Sequence, residues 1–585
     1  MKYIYWLLNK IDDRRFHGLW PVAVIGAAFV HNLTVSWLKW GDPVVDAGRE
    51  WMMPLRMLQN QELYLEHRNL YGPFATYLNM ILFRVFGVHL SVLQGAGIVS
   101  AAIMTTAVFL LARRFLGRIP SVAMAVTFLY AFGFAHLTPN PSFNFVLPYS
   151  YAATYGIIAA TLGLLFLVHH AQEGRDRYLA LSIVGLVLAA LAKVEAVLPI
   201  AAAHFVYLIA TVFMRRITRN HILFYLAGAV VLALPYGLLT VHAGARLWTD
   251  NLAVVVNQGN LSFALETMGF DSPLDSLQRL ALSSIIMSIV VGGGVIASFV
   301  LRRDRSALTR WLVTMLPAVF GFFIYATLGT DLPLKLLPLL TIIFLVTFAL
   351  RFWRRPASRT EILPTLIIWS FTAGCLIRLG FNVGPFFYGF FLVPVPFVSL
   401  GVFLFRDLPA LLGRTAWSKR AINATGFGLV AGFASAALIT STVFYAQHTM
   451  DIETPRGHII LRGEFWQKEV ISYLQEFRSD TDVAVIPQGA GLLFLAGVQM
   501  AGGLYNYVPM EFSGSYTDEN IVLRMQSQPP DIIVLLTQEP GSFRYTGFGI
   551  EFGHLTANWI KINYLPIAGR REVTILRHVS SGDTS

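Results

Sequence analysis

Apolar runs of about 20 residues recur along this chain, and that is the length at which a helix crosses a bilayer. They lie near 19–37, 89–112, 119–136, 150–169, 178–192, 196–214, 222–241, 281–301, 309–328, 333–350, 361–379, 384–405 and 421–446. The pattern predicts about thirteen spans, with 178–192 the shortest. After 447 the periodicity changes. "EFWQKEVISYLQEF" reads as an amphipathic helix, and "DVAVIP", "PDIIVLLT" and "REVTILRHV" read as strands. The expectation is an α-helical polytopic membrane protein over 1–446, followed by a small α/β domain over 447–585.

Basic residues give the orientation. Arg113, Arg114 and Arg118 follow the second run, and Arg215, Arg216 and Arg219 follow the sixth. Further clusters follow the eighth, tenth and twelfth runs, beginning at Arg302, Arg351 and Arg406. All sit after even-numbered spans, so the positive-inside bias puts those loops and the N-terminus in the cytoplasm. The long segments 38–88 and 242–280 and the C-terminal domain then face outside. "MKYIYWLLNKIDDRRFHGLW" has no long apolar core or cleavage site. It reads as an interfacial helix rather than a signal peptide.

Composition agrees. Of 585 residues 55% are hydrophobic and 13% charged, and the mean hydropathy is +0.60; soluble domains carry about 25% charged residues. The net charge of +11 is accounted for by cytoplasmic loops, with no need for nucleic acid. The single cysteine, Cys375, excludes an intrachain disulfide. There is no Walker A loop and no strand-borne Gly-x-Gly-x-x-Gly. "VVGGGV" at 290–295 falls inside a span and reads as a helix-packing stripe.

The first outer segment departs most from the apolar background. "GDPVVDAGREWMMPLRM" spaces Asp42, Asp46 and Glu50 four residues apart. Asp42-Pro43 reads as a helix start. Asp46 and Glu50 would share one face of a short surface helix, which Pro54 should end or kink. Such a face is commonly just solvated. Here it is followed by Glu62, Tyr64, Glu66, His67 and Arg68, then Tyr71-Gly72-Pro73 and a second apolar helix ending in Phe86-Gly87. His67 reads as a surface histidine.

This loop resembles the first outer loop of the GT-C glycosyltransferases, especially bacterial enzymes related to protein O-mannosyltransferases and aminoarabinose transferases. Asp46, Glu50, Pro54, Tyr64, Tyr71-Gly72-Pro73 and Phe86-Gly87 match its pattern. Gln61 or its polar neighbours stand where glycine is usual, and Glu66 where aspartate is usual. "LAALAKVEAVLP" is similar to the family's Lys-x-Glu segment, and the tail is similar to its outer domain.

The resemblance implies transfer of a sugar from a polyprenyl-phosphate donor to an extracytoplasmic glycan, lipid or protein, with inversion, in a bacterial inner membrane. It implies Asp46 as the base, with Glu50 and Glu66 as further catalytic carboxylates and Tyr64, Tyr71 and Glu195 as substrate contacts. The leaving phosphate needs cations. Lys193 and Arg378 at span ends and Arg246 in the 242–280 segment run against the positive-inside bias, as do Arg279 and Lys335. Lys193, Arg378 and Arg246 are the expected phosphate contacts; ion pairing of Lys193 with Glu195, or of Lys335 with Asp331, is the plain alternative. A divalent ion, magnesium or manganese, could be held by a cluster of Asp46, Glu50 and Glu66, with Asp46 and Glu66 named as its ligands. Two other readings are a transporter or flippase of lipid-linked glycans and a GT-C-like scaffold without activity. A transporter should show repeat symmetry, and none is visible.

Overall fold

The computed structural model describes residues 19–579 apart from 141–142, most of 304–331, 388, 414–415, 463–464 and 538–546. The N-terminal interfacial helix, most of the 309–328 run and the Lys335–Asp331 pair lie outside the described residues.

Among the described residues nine helices are long and apolar enough to cross a membrane. They include Leu90–Arg113, Tyr151–Glu173, Val194–Phe213, Arg219–Ala243 and Lys419–Ala446. The chain is a multi-pass, mainly helical membrane protein with a small C-terminal sheet domain. The short run at 178–192 is a helix, Asp176–Ala192, packed along Tyr151–Glu173. The run at 384–405 is broken: a 3-10 turn at Phe390–Leu392, an α-helix Pro394–Val402 and a π-turn Phe403–Asp407. Of the glycine stripe, a Cβ on Gly292 or Gly293 would meet nothing within 4 Å among the described residues.

The C-terminal domain begins with a hairpin, β1 (His448–Thr454) and β2 (Gly457–Arg462). A five-stranded sheet follows in the order β4-β3-β5-β7-β6. β3 (Asp482–Ile486) runs parallel to β4 (Gln499–Met500) and β5 (Ile532–Leu536). β7 (Val573–His578) pairs antiparallel with β5 and with β6 (Tyr564–Gly569). The strand patterns at 482–486, 532–536 and 573–578 are those expected from the apolar runs.

The hairpin is tied to the bundle by Ile460 N–H to the Leu38 carbonyl (2.8 Å) and by Leu90 N–H to the Arg456 carbonyl (2.7 Å). The three long polar segments meet one another. Arg68 of the first loop lies 3.4 Å from the Glu511 carboxylate and donates to the carbonyls of Glu511, Ser513 (3.0 Å) and Asp250 (3.2 Å). The segments assigned to one face from the basic clusters are therefore packed on one side.

Candidate functional site

The acidic stretch folds differently from its expected form. Asp42 does not start the helix. Its carboxylate accepts from the Val44 and Val45 N–H groups at 2.8 and 3.2 Å, closing a turn. The helix starts at Ala47 and continues through Pro54 to Leu58. Every residue from Ala47 to Met57 is buried, so this is no surface helix. It is clamped between the bundle and the C-terminal helix Ala490–Ala496. Gly491 N–H donates to the Pro43 carbonyl at 3.0 Å, and a Cβ on Gly48 would run into the Gly491 backbone. That packing outweighs the proline's missing N–H.

Asp46 stands immediately before the helix with φ 56° and ψ −47°, at the centre of a γ-turn closed by the Ala47 N–H on the Val45 carbonyl at 2.6 Å, a rare and strained backbone. It makes no side-chain cap to the helix. Its Oδ1 is 3.5 Å from Asn506 Nδ2, on the C-terminal domain. Asp46 is half-buried.

Glu50 is buried, 3.5 Å from Arg49, and accepts from Tyr151 N–H at 2.8 Å. That N–H is an orphan donor at the start of helix Tyr151–Glu173, where a carboxylate is favoured. Burial raises the Glu50 pKa against the pull of Arg49 and the Tyr151 N–H. Its geometry is that of a positioning residue that docks the loop helix onto the bundle.

Tyr71 joins the loop to the membrane helices. Gly72 N–H donates to the Ala192 carbonyl at 3.0 Å, and a Cβ at Gly72 would collide with the Leu191 carbonyl. This close approach seats Tyr71 over Lys193. The Tyr71 ring then lies 4.4 Å from Lys193 Nζ and 4.9 Å from the Arg49 guanidinium, whose Nη2 donates to the Tyr71 hydroxyl at 3.2 Å. Tyr64 φ is 70°, and its hydroxyl donates to the Tyr71 carbonyl at 2.6 Å. Tyr64 thus holds the Tyr71 backbone.

Lys193 is extended between helices Asp176–Ala192 and Val194–Phe213 and is 4% exposed. The rings of Tyr71, Tyr149 and Phe391 surround its ammonium, and Glu195 lies 3.3 Å away. Burial works against its charge, but Glu195 and the tyrosines hold its pKa above the ordinary lysine value. Arg378 approaches the same Glu195 carboxylate at 3.4 Å and Thr267 Oγ1 at 3.3 Å. The expected Lys193–Glu195 ion pair is present, and it is shared: two cations face one carboxylate.

Glu66 and Arg246 lie apart from this cluster. Glu66 is exposed, and its Oε2 accepts from Glu62 N–H at 2.5 Å. Arg246 is exposed and reaches the Leu65 carbonyl at 3.4 Å. Among the described residues no three His, Cys, Asp or Glu side chains are grouped to hold a metal; Asp46, Glu50 and Glu66 do not form the expected carboxylate cluster. His67 is fully buried against Tyr505, not on the surface. Sequence reasoning missed Arg49 as a member of the Tyr71 cluster, and Tyr149, Phe391 and Asn506. Tyr149, Phe391 and Asn506 carry no local signal, because each is brought in from a distant element; Arg49 stands beside Glu50 in the acidic stretch itself.

Residues 71–238 match the model of the dolichyl-phosphate-mannose-protein mannosyltransferase family. That segment is of GT-C type. The GT-C segment contains Tyr71, Tyr149, Lys193 and Glu195; Asp46, Arg49 and Arg378 flank it in sequence. No curated protein sequence matches the chain. Among solved structures, ArnT from Cupriavidus metallidurans bound to undecaprenyl phosphate is similar, at 13% identity and TM-score 0.44, covering 96% of this chain and 98% of that one. The archaeal oligosaccharyltransferase AglB from Archaeoglobus fulgidus, in complex with an inhibitory peptide and a dolichol-phosphate, gives 13% identity and TM-score 0.45, over 89% of this chain and 70% of that one. Likenesses at those scores carry no weight for the chemistry.

Proposed function

We propose that the chain is a glycosyltransferase that moves a sugar from a polyprenyl-phosphate donor to an extracytoplasmic acceptor, with inversion, in the inner membrane. The observation that carries this reading is the cation cluster at Tyr71, with Lys193 over the ring and Arg49 on the hydroxyl, beside Asp46, whose carbonyl accepts from Arg49 N–H at 3.1 Å. Lys193 and Arg378 exceed Glu195 by one formal charge, and Arg49 is matched by Glu50. A lipid phosphate supplies the missing anion through charge-assisted hydrogen bonds. The span-end position of Lys193 and Arg378 suits a donor whose tail stays in the bilayer.

In this mechanism the acceptor hydroxyl or amine attacks the anomeric carbon from the side opposite the phosphate. Asp46 takes the acceptor proton. The leaving phosphate needs no general acid; Lys193 and Arg378 stabilise the charge it gains. Lys193 is already caged by three rings and Arg378 already held by Glu195, so little reorganisation accompanies bond breaking. Glu50 and Tyr64 act through the parts they position. Arg246 and Glu66 take no part in this step.

Transfer of radiolabelled sugar from synthetic polyprenyl-phosphate donors to membrane extract tests it. Asp46→Asn is expected to bind donor as the wild type does and to lose about 100-fold or more in transfer, the usual scale of a general base. Wild-type rates in Asp46→Asn would remove Asp46 from the base role. Wild-type protein that binds none of the donors would remove the transferase reading.

A further inference from the structure

A polar cavity of about 810 Å³ lies between the 56–66 stretch of the first loop, Arg246 and the C-terminal domain. Arg56, Arg246 and Arg524 line it, against the carboxylates of Glu66 and Asp482. Glu66 is already engaged with its own turn. Arg56 is 4% exposed. Its Nε donates to Gln61 Oε1 at 2.5 Å and its Nη2 to the Gly502 carbonyl at 2.7 Å. Its guanidinium also lies 5.5 Å from the centre of the buried Tyr505 ring, so it is held rigidly at the cavity wall, where a cation suits an anionic oxygen. Across the cavity Arg524 sits 4.5 Å from the centre of the Tyr516 ring.

The cavity wall and the proposed base belong to the same two segments. Gly502, Gly503, Leu504 and Tyr507 form part of its wall, and Asn506, in the same stretch, contacts Asp46. Arg49 and Arg56 are seven residues apart on one helix, about 10 Å along its axis. A short oligosaccharide spans that distance.

We infer that this cavity binds the acceptor, and that the acceptor is an anionic glycan whose phosphate or carboxylate is held by Arg56 and Arg524. Arginine suits both anions through paired N–H donors, and the Tyr516 ring offers an apolar face to a sugar. The next hydroxyl along the glycan then reaches Asp46. This assignment rests on the glycosyl-transfer reading for its role as acceptor site, but the binding itself does not.

The test uses the full-length protein in lipid nanodiscs with three fluorescent tetrasaccharides: neutral galactose units, galacturonic acid units, and a phosphorylated form. The expected result is that at least one anionic probe binds about tenfold or more tightly than the neutral one. The probe preferred, carboxylated or phosphorylated, identifies the anion. Arg524→Ala, at a partly exposed position, is expected to lose about tenfold of that affinity, the scale of one hydrogen bond to a charged group. It should leave polyprenyl-phosphate binding unchanged, and Arg56→Gln should weaken the anionic probe in the same way. Equal binding of the three probes, no binding of either anionic probe, or unchanged affinity in Arg524→Ala would each overturn the assignment. Anionic-probe binding without any donor binding would instead sink the transferase reading and leave the cavity as an anion site.

Discussion

The helices Ala47–Leu58 and Arg219–Ala243 reverse the usual relation between polarity and burial. The first carries Arg49, Glu50 and Arg56, yet it is enclosed from Ala47 to Met57. The second is the more apolar, with a window of mean hydropathy 2.2, and of its residues only His221, Gly228 and Ala243 are buried. In water the reverse would hold. In a bilayer, apolar side chains gain little by leaving lipid for protein. Polar groups must find partners inside the protein or at its polar side. Enclosure of a charged helix therefore marks the place where this fold concentrates its specific interactions. The lipid-facing helix keeps a narrow protein contact, with Gly228 against Ile183, Tyr225 hydrogen-bonded to His204 and the Tyr236 hydroxyl donating to the Ala190 carbonyl, and presents the rest of its surface outward.

The largest effect expected from breaking this contrast is at Arg68, which joins the first loop to Glu511, Ser513 and Asp250. Burial raises the Glu511 pKa, while Arg68 and Arg49 pull it down. Arg68→Leu leaves the Glu511 carboxylate buried without its nearest cation, a change that costs about 3–5 kcal/mol. Limited proteolysis should then cut between the bundle and the C-terminal domain, and transfer activity should fall with the integrity of the interface. Wild-type protease resistance in Arg68→Leu would show that this clamp does not hold the loop.

A smaller effect follows from His67, fully buried beside Tyr505. Burial first, and then the Arg56 charge, lowers its pKa from the ordinary 6.5 to about 3. The unfolded chain therefore binds a proton below pH 6.5 that the folded chain refuses. Stability contributed by the neutral ring is complete above 6.5 and is lost progressively as pH falls towards 3. Between pH 7 and 5.5 the loss is about 1 kcal/mol. Hydrogen exchange over 56–68 should quicken across that window in the wild type and be flatter in His67→Phe. Identical profiles would remove His67 as the source.

The two halves of the comparison were unequally legible in the sequence. The lipid-facing helix was readable because its outward face asks only for a run of apolar residues, and 222–241 supplies one. Lys193 and Glu195 were readable as a pair because two residues on adjacent turns of chain meet wherever the helices break. The strands at 482–486 and 532–536 were readable from short β-branched runs. The enclosed helix was not. Its cover, Ala490–Ala496, lies more than 400 residues further along the chain. Nothing local says that Gly48 faces Gly491, or that Asp46 centres a γ-turn beside Asn506. The same ignorance of distant cover made His67 look exposed and Pro54 look like a terminator. Local pattern fixes what a segment tolerates; long-range contact decides which tolerated state it adopts.

The smallest effect sharpens the contrast from the other side. Val230 on helix Arg219–Ala243 is 67% exposed within the protein and faces the region that lipid would occupy. Val230→Leu keeps the surface apolar, opens no cavity and meets no neighbour to overpack. The change should stay within about 0.5 kcal/mol, as for substitutions away from specific contacts. Thermal unfolding of the protein in nanodiscs should not resolve it, and transfer should be unchanged. If Val230→Leu instead shifted the melting point as far as the pH change at His67 does, the Val230 face of this helix would have a protein neighbour in the membrane, such as a second copy of the chain. Its exposed apolar face would then be an interface, and the division between a specifically packed loop helix and a merely solvated membrane helix would fail.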